Sequence, residues 1–447
     1  MYIIIVGAGE VGFNLAKQLS GEGHDIAIIE QNLNVFQRVS ENLDVSAIHG
    51  NGSSYRILEQ AGIKNADMLV SVTTNDEVNL ISAQIAKKYN VEKTIARVKN
   101  HEFLREDAPL NADSLNIDLI IHPESEVASA AIRLLHQSAA TDVIEFEKGR
   151  INVLGIQIEN DSPIVNMTLA EIGADFQGFS FRIIAIQRLE VTRIPKGDDT
   201  LLPGDRIFVV IKKEFVPELV ELVGKDIKSK NEHVMILGGG QTGFLLARGL
   251  ENDHRVKLIE RNSEKAQELA KKLRKTLVIQ GDGRDLSLLA VEAITDMDAF
   301  IAATGSDESN IIACSIARHL QVPRIIAMID KASYCTILST IGVDAFVSRQ
   351  RITVNAILKF IRKGNIVSVS SIPGISAEAI ELIPKNGSKI TQKPLSNLKF
   401  PANAMVGAVM RGTDIFIPVG SSQIVAGDKV ILFSLPSAIK DVEKLFN

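Results

Sequence analysis

Tryptophan is absent from this chain of 447 residues, and cysteine occurs only twice. Two cysteines, Cys314 and Cys335, cannot build a disulfide framework and match no metal-ligand spacing. Their apolar, helix-like surroundings lead us to expect reduced thiols in the core of a cytoplasmic protein. A dominant charge is missing too: 49 Lys and Arg against 54 Asp and Glu leave a formal −5. The basic residues form no patch, which argues against nucleic acid, whose binders present a basic face, and against anionic lipid. Apolar residues reach 45% of the chain, yet no run approaches the ~18 residues of a membrane-spanning helix. The first residues read as a strand with no basic leader, so no signal peptide is expected. Attachment to a membrane would then go through a partner protein.

What is present is written twice. Ile3-Ile4-Ile5-Val6 leads into Gly7-Ala8-Gly9-Glu10-Val11-Gly12, and Val234-Met235-Ile236-Leu237 leads into Gly238-Gly239-Gly240-Gln241-Thr242-Gly243, 238 − 7 = 231 residues on. In such a loop the first glycine permits the tight turn from strand to helix. The second lets backbone approach a pyrophosphate, and the third lets the helix pack on its strand. The helix that follows directs its N–H groups and positive dipole end at phosphates. A second strand closes on an acid in both copies, Glu30 and Glu260. A carboxylate there accepts from a ribose diol and repels a 2′-phosphate.

The repeat runs further. His49-Gly50-Asn51-Gly52 returns as Gln280-Gly281-Asp282-Gly283, and Asp67 through Thr73 and Thr74 as Asp298 through Thr304 and Gly305; Asp76 and Asn79 return as Asp307 and Asn310. Strands alternating with helices predict an α/β fold with two doubly wound parallel sheets. After each the pattern changes to short alternating strands containing Gly-Asp turns, Gly204-Asp205 and Gly427-Asp428. These predict small α+β domains. The expected organisation is a Rossmann-like domain at 1–140, a small domain at 141–223, a polar linker at 224–232, a second Rossmann-like domain at 233–363 and a second small domain at 364–447.

The opening Ile3–Gly12 motif, Gly50-Asn51-Gly52, Asp67 through Thr73 with Asn75-Asp76-Glu77 and Asn79, and Pro203-Gly204-Asp205 resemble the TrkA family. Its members are the peripheral cytoplasmic subunits of Trk-type potassium uptake systems, built from two tandem RCK (regulator of potassium conductance) units. The resemblance covers the whole chain. It implies a homotetramer whose eight RCK units form a ring under a membrane potassium transporter subunit of TrkH or TrkG type, located on the inner face of the membrane through that partner. It implies binding of NAD(H), with ATP or ADP as further ligands, and a ring that changes conformation with the bound nucleotide.

On these grounds nucleotide contacts are expected from Gly7, Ala8, Gly9, Glu10, Val11, Gly12, Glu30, Gly50, Asn51, Thr73, Thr74 and Arg97. In the second half they are expected from Gly238, Gly239, Gly240, Gln241, Thr242, Gly243, Glu260, Gly281, Asp282 and Thr304. An NAD-dependent oxidoreductase is the alternative, but it needs an acid/base group at the nicotinamide. His24 and His254 recur at a turn, His49 is replaced by Gln280, and His101, His122, His136, His233 and His319 are isolated. No metal cluster or catalytic triad is expected, and a regulator rather than an enzyme is the reading. The copies differ at Arg97, where the second half has Met328, and at Ala8, where Gly239 would loosen the turn. A guanidinium at 97 suits a polyphosphate.

Overall fold

The computed structural model describes every residue except 101, 102, 104–110, 138, 139, 177, 178, 190, 225–232, 332, 333, 335, 336, 362–365, 372–374, 376 and 447. The expected linker beyond Gly224, the thiol of Cys335 and His101 therefore lie outside the described residues. Four sheets alternate along the chain, two parallel and two antiparallel. The α/β class with two Rossmann-like sheets, each followed by a small α+β region, is what the sequence predicted.

The first sheet comprises β1 (Tyr2–Val6), β2 (Asp25–Glu30), β3 (Ser46–His49), β4 (Met68–Ser71), β5 (Lys93–Arg97) and β6 (Leu119–Ile121). All are parallel, in the order β3-β2-β1-β4-β5-β6. That is the doubly wound dinucleotide-fold order, whose connections reverse direction between β1 and β4. Ile3, Ile4, Ile5 and Val6 are all buried, as a central strand covered by helices on both faces requires. Acids hold the amino edge: Asp67 accepts from the Tyr2 amide at 2.7 Å and Asp118 from the Thr94 amide at 2.7 Å.

The small sheet that follows has β7 (Asp142–Phe146), β8 (Ile151–Gln157), β9 (Phe181–Arg188), β10 (Val191–Arg193) and β11 (Arg206–Lys212), all antiparallel, in the order β10-β9-β11-β8-β7. Then β12 (His233–Leu237), β13 (Arg255–Glu260), β14 (Leu277–Gln280), β15 (Ala299–Ala302), β16 (Arg324–Met328) and β17 (Ala345–Val347) repeat the first sheet in the same order. The acids at its amino edge repeat as well, Asp298 on the His233 amide at 2.9 Å and Asp344 on the Ile325 amide at 2.6 Å. Last come β18 (Ile366–Ser371), β19 (Glu378–Leu382), β20 (Ala404–Arg411), β21 (Asp414–Phe416) and β22 (Lys429–Ser434), in the order β18-β19-β22-β20-β21. Read from its first strand outward, this is the order of the first small sheet. Faint sequence similarity thus conceals one topology used twice.

One construction explains the two Gly-Asp turns. Gly204 and Gly427 lie in the left-handed region at φ +84 and +87, where a Cβ is penalised. The next residue, Asp205 or Asp428, is buried and takes both branches of a guanidinium. Arg188 donates to Asp205 at 2.7 Å from Nε and 2.7 Å from Nη2, and Arg411 to Asp428 at 2.9 and 2.8 Å. Each carboxylate also accepts a backbone N–H, from Leu202 or Val425, at 2.9 Å.

Packing divides the chain into two units, Met1–Val127 with Ser348–Phe360, and Ala128–Val347 with Ile361–Asn447. The helix Arg349–Ile361 therefore groups mostly with the first parallel sheet, although it follows the second in sequence. Its Val354, Ile357, Leu358 and Ile361 are buried within the single chain, as are Val127, Ala131, Leu134 and Leu135 of the helix Pro123–His136. Those residues thus need no second subunit to cover them.

Within the second unit, Arg324 at the start of β16 caps the end of that helix and the residues just after it. It donates to the carbonyls of Leu134 and Ala140 at 3.0 and 2.6 Å. The two small sheets also share a core in this unit, Phe146, Ile151, Val153, Ile184, Phe208 and Val210 packing with Ala379, Ala408, Met410, Ile431 and Phe433. Arg150 donates to the Thr413 carbonyl, Arg182 to the Pro418 carbonyl, and Lys429 to Glu147 across it.

Candidate functional site

Every residue singled out for a nucleotide lies at or just beyond the carboxyl edge of its sheet. Gly7–Gly12 follow β1, Glu30 ends β2, Gly50-Asn51 follow β3, Thr73-Thr74 follow β4 and Arg97 ends β5. Parallel register brings them together: Val6 pairs with Ser71, Glu30 with His49 and Ser71 with Ala96. Gly238–Gly243, Glu260, Gly281-Asp282, Thr304 and Met328 repeat this on the second sheet.

The three glycines of each loop have three different reasons to be glycine. Gly7 and Gly238 sit at φ +99 and +105, which L side chains avoid. Any Cβ on Gly12 or Gly243 would run into the carbonyl oxygen of Gly7 or Gly238. Gly9 and Gly240 differ from both. Each is the N-cap of the next helix, Glu10–Gly21 or Gln241–Leu250, in extended backbone at φ −57 and −62. A Cβ on either meets no protein atom within 4 Å. The fold itself imposes no demand for glycine there.

Glu30 is more occupied than the sequence predicted. Its Oε2 accepts the Ala8 amide at 2.7 Å and its Oε1 the Asn32 amide at 2.7 Å. Glu260 does the same with Gly239 and Asn262, at 2.9 and 2.8 Å. The carboxylate thus ties the glycine loop to the turn after the second strand. An ionised carboxylate has about four lone-pair sites, so acceptor capacity toward a diol remains.

Thr73 and Thr304 are likewise built in. The Thr73 hydroxyl donates to Asn79 Oδ1 at 2.7 Å, and the Thr304 hydroxyl to Asn310 Oδ1 at 2.6 Å. Both asparagines are fully buried. Asn79 Nδ2 also donates to the carbonyls of Thr73 and Arg97, at 3.1 and 2.8 Å, and Asn310 Nδ2 to those of Thr304 and Met328, at 3.3 and 2.8 Å. Each asparagine therefore fixes the ends of the fourth and fifth strands relative to one another. Asp76 and Asp307 add a second tie, accepting from the Lys99 and Asn100 amides and from those of Asp330 and Lys331. Sequence comparison of the halves saw all four residues recur but not what they do.

The difference between Ala8 and Gly239 is a packing exchange rather than a looser turn. A Cβ on Gly239 would meet Leu269 Cδ1 at close quarters and Glu260 Oε2 at 2.8 Å. Val39, shorter by one carbon, follows Glu30 by the nine positions that separate Leu269 from Glu260, and Ala8 and Val39 are both fully buried. Asn75 and Ser306 cap the next helices alike, accepting from the Val78 and Ser309 amides at 2.8 and 3.2 Å, so that edge differs less than their identities suggest. Asn51 accepts from Ser53 at 2.9 Å, whereas Asp282 is gripped by Arg284 at 3.0 and 2.7 Å. That guanidinium, helped by Arg261, holds the Asp282 carboxyl down at about 2.

Among the described residues no group of His, Cys, Asp and Glu can hold a metal ion, and no helix is long and apolar enough to cross a membrane. Cys314 is a buried free thiol whose pKa burial pushes far up.

Known proteins carry the same two-part repeat. The TrkA-N domain family matches residues 3–123 and 234–349, and the TrkA-C domain family residues 153–224 and 379–447. The Trk system potassium uptake protein TrkA of Azorhizobium caulinodans is 32% identical over 452 residues, covering 100% of this chain and 98% of its own. Homolog 1 of that protein in Methanosarcina mazei is 35% identical over 457 residues, covering 100% of both. A solved structure titled as the GsuK channel bound to NAD superposes with a TM-score of 0.61 at 17% identity, covering 100% of this chain and 78% of its own. The chain belongs to the TrkA family of Trk-system potassium uptake proteins, with a TrkA-N and a TrkA-C domain in each half.

Proposed function

We propose that this chain is the nucleotide-sensing regulatory subunit of a membrane potassium transporter, with one adenine-nucleotide site at the carboxyl edge of each parallel sheet. The observation that carries the site is the glycine at 9 and at 240. Elsewhere in the loop the fold explains its glycines, but here neither φ nor packing does. A phosphate seated on the helix N-terminus would use that closeness. NAD(H) is the ligand we favour, with ATP or ADP sharing the same adenosine subsite, and the NAD-bound channel with the same fold supports this choice. Gly7–Gly12 and Gly238–Gly243 cradle phosphates, Glu30 and Glu260 orient the ribose, Gly50, Asn51, Gly281 and Asp282 flank it, and Thr73, Thr74, Thr304 and Arg97 line the far side.

The role is conformational, not catalytic. A nucleotide at ~100 times its dissociation constant for one state contributes about 2.7 kcal/mol to that state, while moving a population from 1:99 to 99:1 takes about 5.5 kcal/mol. Two sites per chain, coupled through a homotetramer docked on the cytoplasmic face of a TrkH or TrkG type subunit, meet that requirement.

Gly9→Asp and Gly240→Asp test the site. Aspartate is a favoured N-cap, so the nucleotide-free protein should melt at or above the wild-type temperature. NADH-induced stabilisation should disappear, because the carboxylate occupies the phosphate position with like charge. Retained stabilisation in the double variant would remove the site from these loops. For the wider role, rubidium uptake in a deletion strain should collapse, whereas normal uptake would reopen the oxidoreductase reading.

A further inference from the structure

The two ribose rims arrange their charges differently. Gln31 and Val35 follow Glu30 by one and five positions, where Arg261 and Lys265 follow Glu260; Ser53 follows Gly50 by three, where Arg284 follows Gly281. Three neutral residues are thus replaced by three cations, while Asn51 becomes Asp282. Lys265 Nζ stands 3.9 Å from Glu260 Oε2, and Arg284 holds Asp282 at 2.7 Å. Two further acids enter beside them, Glu264 where the first half has Asn34 and Asp285 where it has Ser54, so the rims differ in where cations stand rather than in net charge. In the first half Arg38 and Arg56 have other partners. Arg38 bonds Glu10 at 2.7 Å and lies 4.4 Å over the Phe13 ring, and Arg56 lies 5.9 Å from the Tyr55 ring centroid.

We propose that the second half accepts an adenine dinucleotide phosphorylated on the adenosine ribose, NADP(H), alongside the unphosphorylated form, whereas the first half excludes it. The inference rests on the nucleotide reading above and refines it. A 2′-phosphate brought to Glu30 meets an uncompensated carboxylate. The same group brought to Glu260 meets a carboxylate already faced by Lys265, with two guanidinium forks in the adjoining turns. Where this fold takes a 2′-phosphate, an arginine near the ribose accommodates it, and a planar fork suits phosphate oxygens; at Glu260 such a fork would have to outweigh the acid's repulsion. Arg284 would exchange one oxyanion, Asp282, for another. Both arginines are exposed, so little packing opposes the movement.

Isothermal titration of the full chain decides it, with NADH and NADPH as probes. NADH should fill two sites per chain and NADPH one. Gly9→Asp should leave NADPH binding in place, and Gly240→Asp should abolish it. Replacing the rim by its first-half residues, Arg261→Gln with Arg284→Ser, should lower the NADPH-to-NADH affinity ratio about a hundredfold, near tenfold per guanidinium. NADPH filling both sites, or neither while NADH fills two, would overturn the inference and leave the nucleotide reading standing, as would an unchanged ratio in the double variant. Failure of NADH itself to bind would remove both.

Discussion

The first and second parallel-sheet domains agree where the backbone must be held and diverge at side chains just beyond the second and third strands. Glu30 and Glu260, Asn79 and Asn310, Asp76 and Asp307, and Asp67 and Asp298 make the same bonds to the same backbone groups. The small domains repeat this economy in Arg188–Asp205 and Arg411–Asp428. By contrast, Gln31, Val35 and Ser53 share nothing chemically with Arg261, Lys265 and Arg284. Side chains that satisfy buried N–H and C=O groups are costly to change. Exposed rim residues are not, so the rim is where duplicated sites can drift toward different ligands.

The agreement can be broken hardest in the small domains. Asp205→Ala and Asp428→Ala each remove a buried acceptor of three N–H donors and should each destabilise by about 3 kcal/mol. Denaturant midpoints of the full-length variants check this, and unequal losses would end the equivalence. Next come Asn79→Leu and Asn310→Leu, similar in size but unable to bond, at about 2 kcal/mol each because strand-end carbonyls and an amide lose their partners.

A smaller and more discriminating test exchanges the loop packing. Gly239→Ala should cost about 1–3 kcal/mol by overpacking against Leu269, and adding Leu269→Val, the first-half residue, should restore most of it. Failure of that rescue would mean the loops differ for another reason. The smallest effect concerns His136, whose ring stacks on His254 at 5.5 Å. Burial first, and His254 second, lower the His136 pKa from 6.5. A histidine whose folded pKa is depressed contributes stability above its unfolded value and loses it as pH falls below about 6.5. Acidification from pH 7.5 to 5.5 should therefore lower the wild-type melting temperature more than that of His136→Gln, by on the order of 1–2 °C.

The glycines and the strand-ending acids were legible in the sequence because each leaves a mark of its own: a missing side chain, or a charge closing an apolar run. The topology followed from alternation of strand and helix. Glu30 was readable as an acid at the right place but not as an acceptor for Ala8 and Asn32, since backbone donors carry no sequence signature. Arg188 escaped notice because antiparallel pairing of β9 with β11 brings it to Asp205. The signal was present in the shared spacing, 411 − 188 = 428 − 205 = 223. Val354, Ile357, Leu358 and Ile361 recur at helical spacing, and the structure buries them. The spacing could not show that most of their helix groups with Met1–Val127, because a stripe of apolar residues names no partner.

The core shared by the two small sheets has a consequence in terms of dilution. Separate chains would have to meet to form it, and their pairing would depend on how much protein the cell holds. Here both faces, with Phe208 and Phe433 in the same cluster, are parts of one polypeptide. Encounter then occurs within one chain, so its probability does not depend on how much protein is present. The interface therefore stays closed however scarce the protein becomes.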